Sequence, residues 1–322
     1  MRTSGLIDRH DDLGLIRYDY ATDCFSAKIN KGAVLRPNAP LGIAWIIIGG
    51  CNLACIHCYG NQEELPRVIL STRECYSVID KMIAAKVMRV VISGGEPLLR
   101  DDIFSLVERL KDGGISVVLG TNGTFINPEN VDSLAQCTRI EISLDGGTPE
   151  ANNLIRPSRV RRGNAWVETM HAITLCIQAK VNLRVLTALN SQNQSQIVGI
   201  ASVLSTLGVT DWALSWTIPA GRARQIYERL RPDRVIVETG VQEARRLFPH
   251  MTIRYTDRVT NTASRFYCLI LPDGTIGTEE TGRGKVSFGS LLEQDITSVW
   301  NSQNYDLEGH FTKWVGDRVE IS

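Results

Sequence analysis

Three cysteines, Cys51, Cys55 and Cys58, lie in the short run Gly50–Tyr59. Their C-x3-C-x2-C spacing is one thiolate short of the four that normally cage an iron–sulfur cluster. A 4Fe-4S cluster on three cysteines leaves one iron open, and an open iron can bind a reactant. Two plainer readings use the same residues. A Cys3His zinc site would take His57 as fourth ligand, although a histidine directly beside Cys58 strains tetrahedral closure. Three free, buried thiols would do no chemistry.

Further candidate residues recur downstream. Ser93-Gly94-Gly95-Glu96-Pro97 has two glycines that let a backbone approach a ligand and a proline that fixes the turn. Thr121-Asn122-Gly123 and Ser143-Leu144-Asp145-Gly146 follow. Asn122 and Asp145 read equally well as turn residues bonding their own backbone. Arg156, Arg159, Arg161 and Arg162 crowd a short stretch. Such a run is commonly a solvated loop, and an anionic substrate or phosphate is the alternative.

The elements between these loops would bring them together. Ile43–Ile48 is an apolar run that predicts a buried strand ahead of the cysteines. Strands are also predicted at 89–92, 115–119, 139–144, 183–187 and 212–216. Helices fill the gaps. One opens on the capping box Ser71-Thr72-Arg73-Glu74 and turns Val78, Ile79, Met82 and Ile83 to one face. Another is capped by Asp101-Asp102, buries Ile103, Leu106, Val107 and Leu110, and stops at Gly113-Gly114. A short helix is predicted from Pro128 through Leu134, and longer ones over 165–178 and 197–207. Six βα units imply a parallel sheet with crossover helices, and right-handed crossovers gather the βα loops at one end. A closed eightfold barrel needs two more units. The prediction is therefore an open partial (β/α)6 TIM-like barrel with a small C-terminal α+β extension. Residues 1–40 form an N-terminal hairpin or extension, 41–230 the barrel, and 231–322 the C-terminal extension.

Composition narrows the function. The chain has 322 residues, with Lys+Arg and Asp+Glu balanced at 35 each, so it lacks the positive field of a nucleic-acid binder. No apolar run reaches the roughly 18 residues of a membrane span. The N-terminus has no signal-peptide core. Eight cysteines without such a signal point to a reducing cytoplasm rather than a disulfide scaffold.

The cysteine run, with His57 in a position usually aromatic, resembles the radical S-adenosylmethionine (SAM) family. The Gly-Gly-Glu-Pro loop one βα unit later resembles that family's SAM-binding loop. The resemblance implies the partial barrel, a 4Fe-4S cluster on Cys51, Cys55 and Cys58, and SAM on the open iron. It also implies cofactor contacts. Gly94, Gly95 and Glu96 would lie at the SAM amino group, Ser143 and Asp145 near its ribose or methionine part, and Arg156 at its carboxylate. Asn122 joins them as a strand-end candidate. Asn190 ends the fifth strand, and Pro219-Ala220-Gly221-Arg222-Ala223 resembles a P-x-G-R-A segment near the adenine. The implied partners are an electron donor such as flavodoxin or ferredoxin and a substrate.

Phe266 to Gly277 predicts a hairpin with a Pro-Asp-Gly turn. With the segments that follow, it resembles a degenerate SPASM or twitch extension, which usually carries auxiliary clusters. Here Cys268 is the extension's only cysteine, whereas a second cluster needs about four thiolates. One 4Fe-4S cluster per chain is therefore expected. Cys75, Cys137 and Cys176 read as buried apolar residues. Without an auxiliary electron acceptor, redox-neutral chemistry gains weight: epimerisation, rearrangement or decarboxylation. Cys268 is then a candidate hydrogen-atom donor, or simply a buried structural thiol.

The resulting expectation is a cytoplasmic enzyme of natural-product biosynthesis. It would cleave SAM reductively to a 5'-deoxyadenosyl radical and take hydrogen from a substrate C–H bond. The substrate is a small molecule such as a sugar or nucleoside, or a precursor peptide. The other class is a non-catalytic metal-binding or regulatory protein on the same scaffold, which has no need of the downstream loops.

Overall fold

The computed structural model describes residues 5–59, 65–160, 163–257, 268–280, 284–302, 305 and 307–321. Arg161, Arg162, Phe266 and Tyr267 lie outside the described residues. Three N-terminal strands, β1 (Leu6–Asp11), β2 (Gly14–Asp19) and β3 (Cys24–Ile29), form an antiparallel sheet. The barrel strands are β4 (Gly42–Ile48), β5 (Arg89–Gly94), β6 (Ser116–Thr121), β7 (Arg139–Ser143), β8 (Leu183–Leu189), β9 (Asp211–Trp216) and β10 (Thr252–Thr256). β11 (Cys268–Ile270), β12 (Thr275–Glu280), β13 (Gly284–Ser290) and β14 (Val319–Ile321) complete the order.

Ten strands share one sheet, ordered β10-β9-β8-β7-β6-β5-β4-β11-β12-β13. All neighbouring pairs from β4 to β10 are parallel. The fold is therefore α/β with the parallel sheet of a partial TIM barrel. The six predicted strands are all present, but the parallel run does not stop near residue 230. A helix over Arg234–Leu247 leads into β10, which aligns Ile253 with Trp212. This strand reads Thr-Ile-Arg-Tyr-Thr and fully buries only Ile253, so it gives no apolar run to recognise. At the opposite edge, β11 pairs parallel with β4 and turns back through Pro272-Asp273-Gly274 into β12. The predicted hairpin thus widens the barrel sheet.

Helix patterning placed most of the core. The first crossover helix, Thr72–Ala84, has the reciprocal Ser71/Glu74 cap and buries Cys75, Val78, Ile79 and Met82. The second, Ile103–Asp112, buries the four residues expected. Its Asp102 does not cap it: the carboxylate accepts from Arg100 and Thr72 instead. The expected helix at Pro128–Leu134 is a 3-10 turn over Val131–Gln136. Helices at Ala165–Gln178 and Ile197–Leu207 match. Cys75, Cys137 and Cys176 are buried, as their sequence context suggested.

The two chain ends meet. β14 pairs parallel with β3, and the helix Leu307–Val315 sends Phe311 and Val315 into a core with Ile16, Tyr18, Phe25 and Met88. This unit sits against the strand starts of the barrel. Asp23, at φ 55° between β2 and β3, reaches Arg89 at 2.9 Å, Arg139 at 2.7 Å and Arg184 at 3.6 Å. Those arginines lie at or near the starts of β5, β7 and β8, so Asp23 of the N-terminal hairpin joins Glu141 and Asp211 in balancing their charge at this end of the sheet.

Candidate functional site

Every expected site residue except Cys268 lies at or beyond a strand's C-terminal end. The cysteine loop leaves β4 and is held from three sides. Gly95 N donates to the Ile48 carbonyl at 2.7 Å and Glu96 N to the Gly50 carbonyl at 2.8 Å. Ala54 N and Ile56 N donate to Pro157 and Ile155, while Arg159 N and Nε donate to the Asn52 and Leu53 carbonyls. Arg159 is solvent-exposed, as a charged loop residue should be, and also braces the loop. From the far side Arg222 N bonds the Cys58 carbonyl at 3.0 Å, and Arg222 Nη1 bonds that of Cys55 at 3.3 Å. Gly221, at φ +54°, comes so close that a Cβ there would lie 2.2 Å from the Cys58 carbonyl oxygen. The Pro-Ala-Gly-Arg-Ala segment clamps the cysteines.

Around the three thiols the donors are asymmetric. Cys51 accepts from Leu53 N at 3.4 Å and from Asn122 Nδ2 at 3.8 Å. Cys55 accepts from Arg156 Nη1 at 3.7 Å. Burial pushes the Cys55 thiol up to about 11, and the neighbouring Cys58 and Cys51 add to it while Arg156 opposes. Burial likewise raises Cys51.

The loop residues divide into those facing the site and those that build it. Gly94 ends β5, paired with Ile48. Glu96 is fully buried, and its carboxylate accepts from Thr121 Oγ1 at 2.7 Å, Asn122 N at 2.8 Å and Leu98 N at 3.0 Å. Burial raises its pKa against those three donors. It ties the β5 loop to the β6 loop, a structural duty the sequence did not reveal. Asn122 forms the turn expected of it, accepting from Thr124 N, and also aims Nδ2 at Asn52 and Cys51. Ser143 ends β7 half-buried.

Asp145 has no exposed surface. Its carboxylate binds Arg156 Nε at 2.5 Å, His57 Nε2 at 3.3 Å and Ala188 N at 2.7 Å. The enclosed carboxylate holds Arg156 Nε and lies against His57, which ties the β7 loop to the cysteine loop. Burial alone would lower the Arg156 pKa, but Asp145 and Cys55 hold it above the ordinary value. Burial drives His57 down to about 4, against the pull of Asp145. At such a value the ring is neutral near pH 7, with Nε2 lying 3.3 Å from the Asp145 carboxylate. The sequence singled out His57 only as an aromatic-slot residue or zinc ligand; its bond to Asp145, a residue far along the chain, had no sequence signal.

Cys268 lies apart from the other candidates and is placed as the buried structural thiol of the two readings offered for it. It starts β11 in register with Ile43, at the opposite end of β4 from the cysteine loop. Five residues of strand from Ile43 to Ile48 span about 16 Å. The thiol is fully buried and within 3.6 Å of Tyr305 Oη, which donates to the Gly277 carbonyl. It packs in the main core with Ile43 and Ile270.

The chemistry of the donor set bears on the metal readings. A single tetrahedral zinc would draw its sulfurs to about 3.8 Å of each other. Among the described residues no group of three or more His, Cys, Asp and Glu could hold one metal ion, and His57 gives Nε2 to Asp145. The thiolates of a four-iron cluster stand farther apart, each on its own iron. Buried polar atoms at this end, among them His57 Nδ1, Asn152 Nδ2 and Thr217 Oγ1, have no partner among the described residues. The site fits a cluster on three cysteines with a polar ligand beside it.

The Radical SAM superfamily model matches residues 45–204, the stretch that carries the cysteine loop and four further strands. The chain belongs to the radical SAM superfamily. It is an enzyme of the radical SAM class, and the cofactors of that class are SAM and an iron–sulfur cluster. Among relatives of this radical SAM chain, the AdoMet-dependent heme synthase of Methanosarcina barkeri is 32% identical over 192 residues, covering 59% of this chain and 54% of that protein. The mycofactocin maturase MftC of Mycobacterium ulcerans is 31% identical over 197 residues, covering 61% and 52%. The chain thus spans about half the length of these curated relatives. In fold it is similar to Streptococcus suis SuiB bound to S-adenosylmethionine, at TM-score 0.74 and 12% identity over 95% of this chain and 89% of that one. It is also similar to anSMEcpe with bound AdoMet, at TM-score 0.63 and 15% identity over 86% and 83%. No helix of the described residues is long and apolar enough to cross a membrane.

Proposed function

We propose that this radical SAM chain carries a single 4Fe-4S cluster on Cys51, Cys55 and Cys58 and uses it to start hydrogen abstraction from a substrate C–H bond. When bound, the cluster and SAM supply one electron and a 5'-deoxyadenosyl radical. The protein's share is binding, orientation and exclusion of water. The observation that carries this reading is the threefold clamp on the cysteine loop: the β5 loop, the 155–159 segment and Arg222 fix its backbone before any cofactor arrives. Gly94, Gly95, Asn122, Ser143 and the His57 Nδ1 edge are the groups we assign to the SAM pocket. Glu96 and Asp145 support it from behind.

The substrate class we assign is a precursor peptide. The similarity to a maturase supports this, as does the fold shared with SuiB, which has been seen bound to precursor peptide SuiA. The similarity to heme synthases makes a small molecule the competing class. With Cys268 buried at the far end of β4, we assign the hydrogen of a redox-neutral outcome to 5'-deoxyadenosine or to another residue at the barrel mouth. Anaerobic reconstitution, reduction with dithionite and addition of SAM tests the reading, with a short peptide encoded beside the gene as probe. The expected result is 5'-deoxyadenosine together with a mass change in the peptide. 5'-Deoxyadenosine with an unchanged peptide overturns the peptide assignment, and no 5'-deoxyadenosine overturns the enzyme assignment.

A further inference from the structure

Arg156 stands where the resemblance placed a partner for the SAM carboxylate, yet the structure gives it a different neighbour. Its Nη1 points at the sulfur of Cys55, 3.7 Å away, and its Nε is fixed on Asp145. Both Arg156 and Asp145 are buried, at 8% and 0% exposure. The guanidinium cannot swing out to water without leaving Asp145 as an unpaired charge, which is strongly unfavourable. Asp145 is itself locked by Ala188 N and by His57 Nε2. The cation is thus held in one place against one cluster ligand.

From this geometry we infer that Arg156 sets the reduction potential of the cluster through Cys55, with Asp145 as its positioning residue. The inference rests on the cluster reading above. Reduction adds one electron to the cluster from an external low-potential donor, with no bond made or broken. The added negative charge spreads onto the ligand sulfurs. A nearby positive charge and an N–H donor to sulfur stabilise the reduced form, which is one of the protein's levers on cluster potential. Burial strengthens the effect by removing screening water. Asp145 opposes it, but it bonds the guanidinium through Nε, whereas Nη1 is the atom that reaches the Cys55 sulfur. The contrast with Cys51 is informative: its donors, Leu53 N and Asn122 Nδ2, are neutral.

The test is an anaerobic redox titration of the reconstituted full chain without SAM, followed by electron paramagnetic resonance. This readout does not depend on turnover. The variant R156M removes charge and donor while keeping an unbranched stem of similar length to the arginine's aliphatic part. Its reduced-to-oxidised ratio at fixed poise is expected to fall about tenfold, which for a one-electron couple is about 59 mV lower. R156K keeps the charge and is expected to shift less. Should R156M fail to fold around an unpaired Asp145, R156M/D145N removes both charges and is also expected below wild type. Cluster-loaded R156M, or the double variant in its place, with a midpoint at or above wild type overturns the inference. A wild-type protein that takes up no cluster would instead overturn the reading on which it rests, so the two failures are distinct.

Discussion

Gly95 lies against Gly50 with no room for a side chain: a Cβ on Gly95 would fall 1.9 Å from the Gly50 carbonyl oxygen. The obstacle is backbone on both sides, with Glu96 N bonded to that same carbonyl. The second glycine of the Gly-Gly-Glu-Pro loop is therefore needed to zip the β5 loop onto the cysteine loop, whatever further approach it gives a ligand. G95A should destabilise the protein by about 1–3 kcal/mol through overpacking and lower its iron uptake. Gly120 in β6 provides the control, since a Cβ there meets nothing nearer than 3.6 Å. G120A should unfold within about 0.5 kcal/mol of wild type in urea.

Asp23 predicts a pH dependence. Burial would raise its pKa, but Arg89, Arg139 and the Tyr18 hydroxyl hold it below the ordinary carboxylate value. A carboxylate depressed in the folded state adds stability above its unfolded pKa and loses it as pH falls through the folded one. Urea unfolding of D23N should show a deficit of about 2–3 kcal/mol at pH 7. That deficit should shrink once pH falls below about 4. Asparagine tolerates the left-handed backbone of this position, so the variant isolates the charge. An unchanging deficit across that range would rule out the ionic account.

Cys268 predicts a negative result for catalysis. C268A removes a buried sulfur from the β11 core, so a loss of about 1–2 kcal/mol in stability is expected. SAM cleavage and substrate turnover by the folded variant should equal wild type. Turnover abolished with SAM cleavage intact would restore the hydrogen-donor role.

Local rules made much of this molecule legible. The capping box at Ser71, the apolar faces at 78–82 and 103–110, and the short apolar runs of β4 to β9 gave the barrel, because each depends on neighbours in sequence. The spacing of Cys51, Cys55 and Cys58 and the glycines of the β5 loop gave the site's location. Long-range pairing was not legible. Asp145 looked like a ligand or a turn residue because nothing nearby in sequence shows that Arg156, His57 and Ala188 N consume its carboxylate. Cys268 read equally as a hydrogen-atom donor or a buried structural thiol because its register with Ile43 is set by tertiary pairing. β10 escaped notice because an amphipathic edge strand carries so few apolar residues, and the union of β3 with β14 joins opposite ends of the chain.

The central claim is that one iron–sulfur cluster sits on the clamped three-cysteine loop. Iron and sulfide analysis of anaerobically reconstituted protein tests it most directly, with C51A/C55A/C58A as the comparison. The account predicts about four iron and four sulfide per chain in the wild type, and neither above background in the triple variant. About eight of each in the wild type, or a cluster retained by the triple variant, would contradict it.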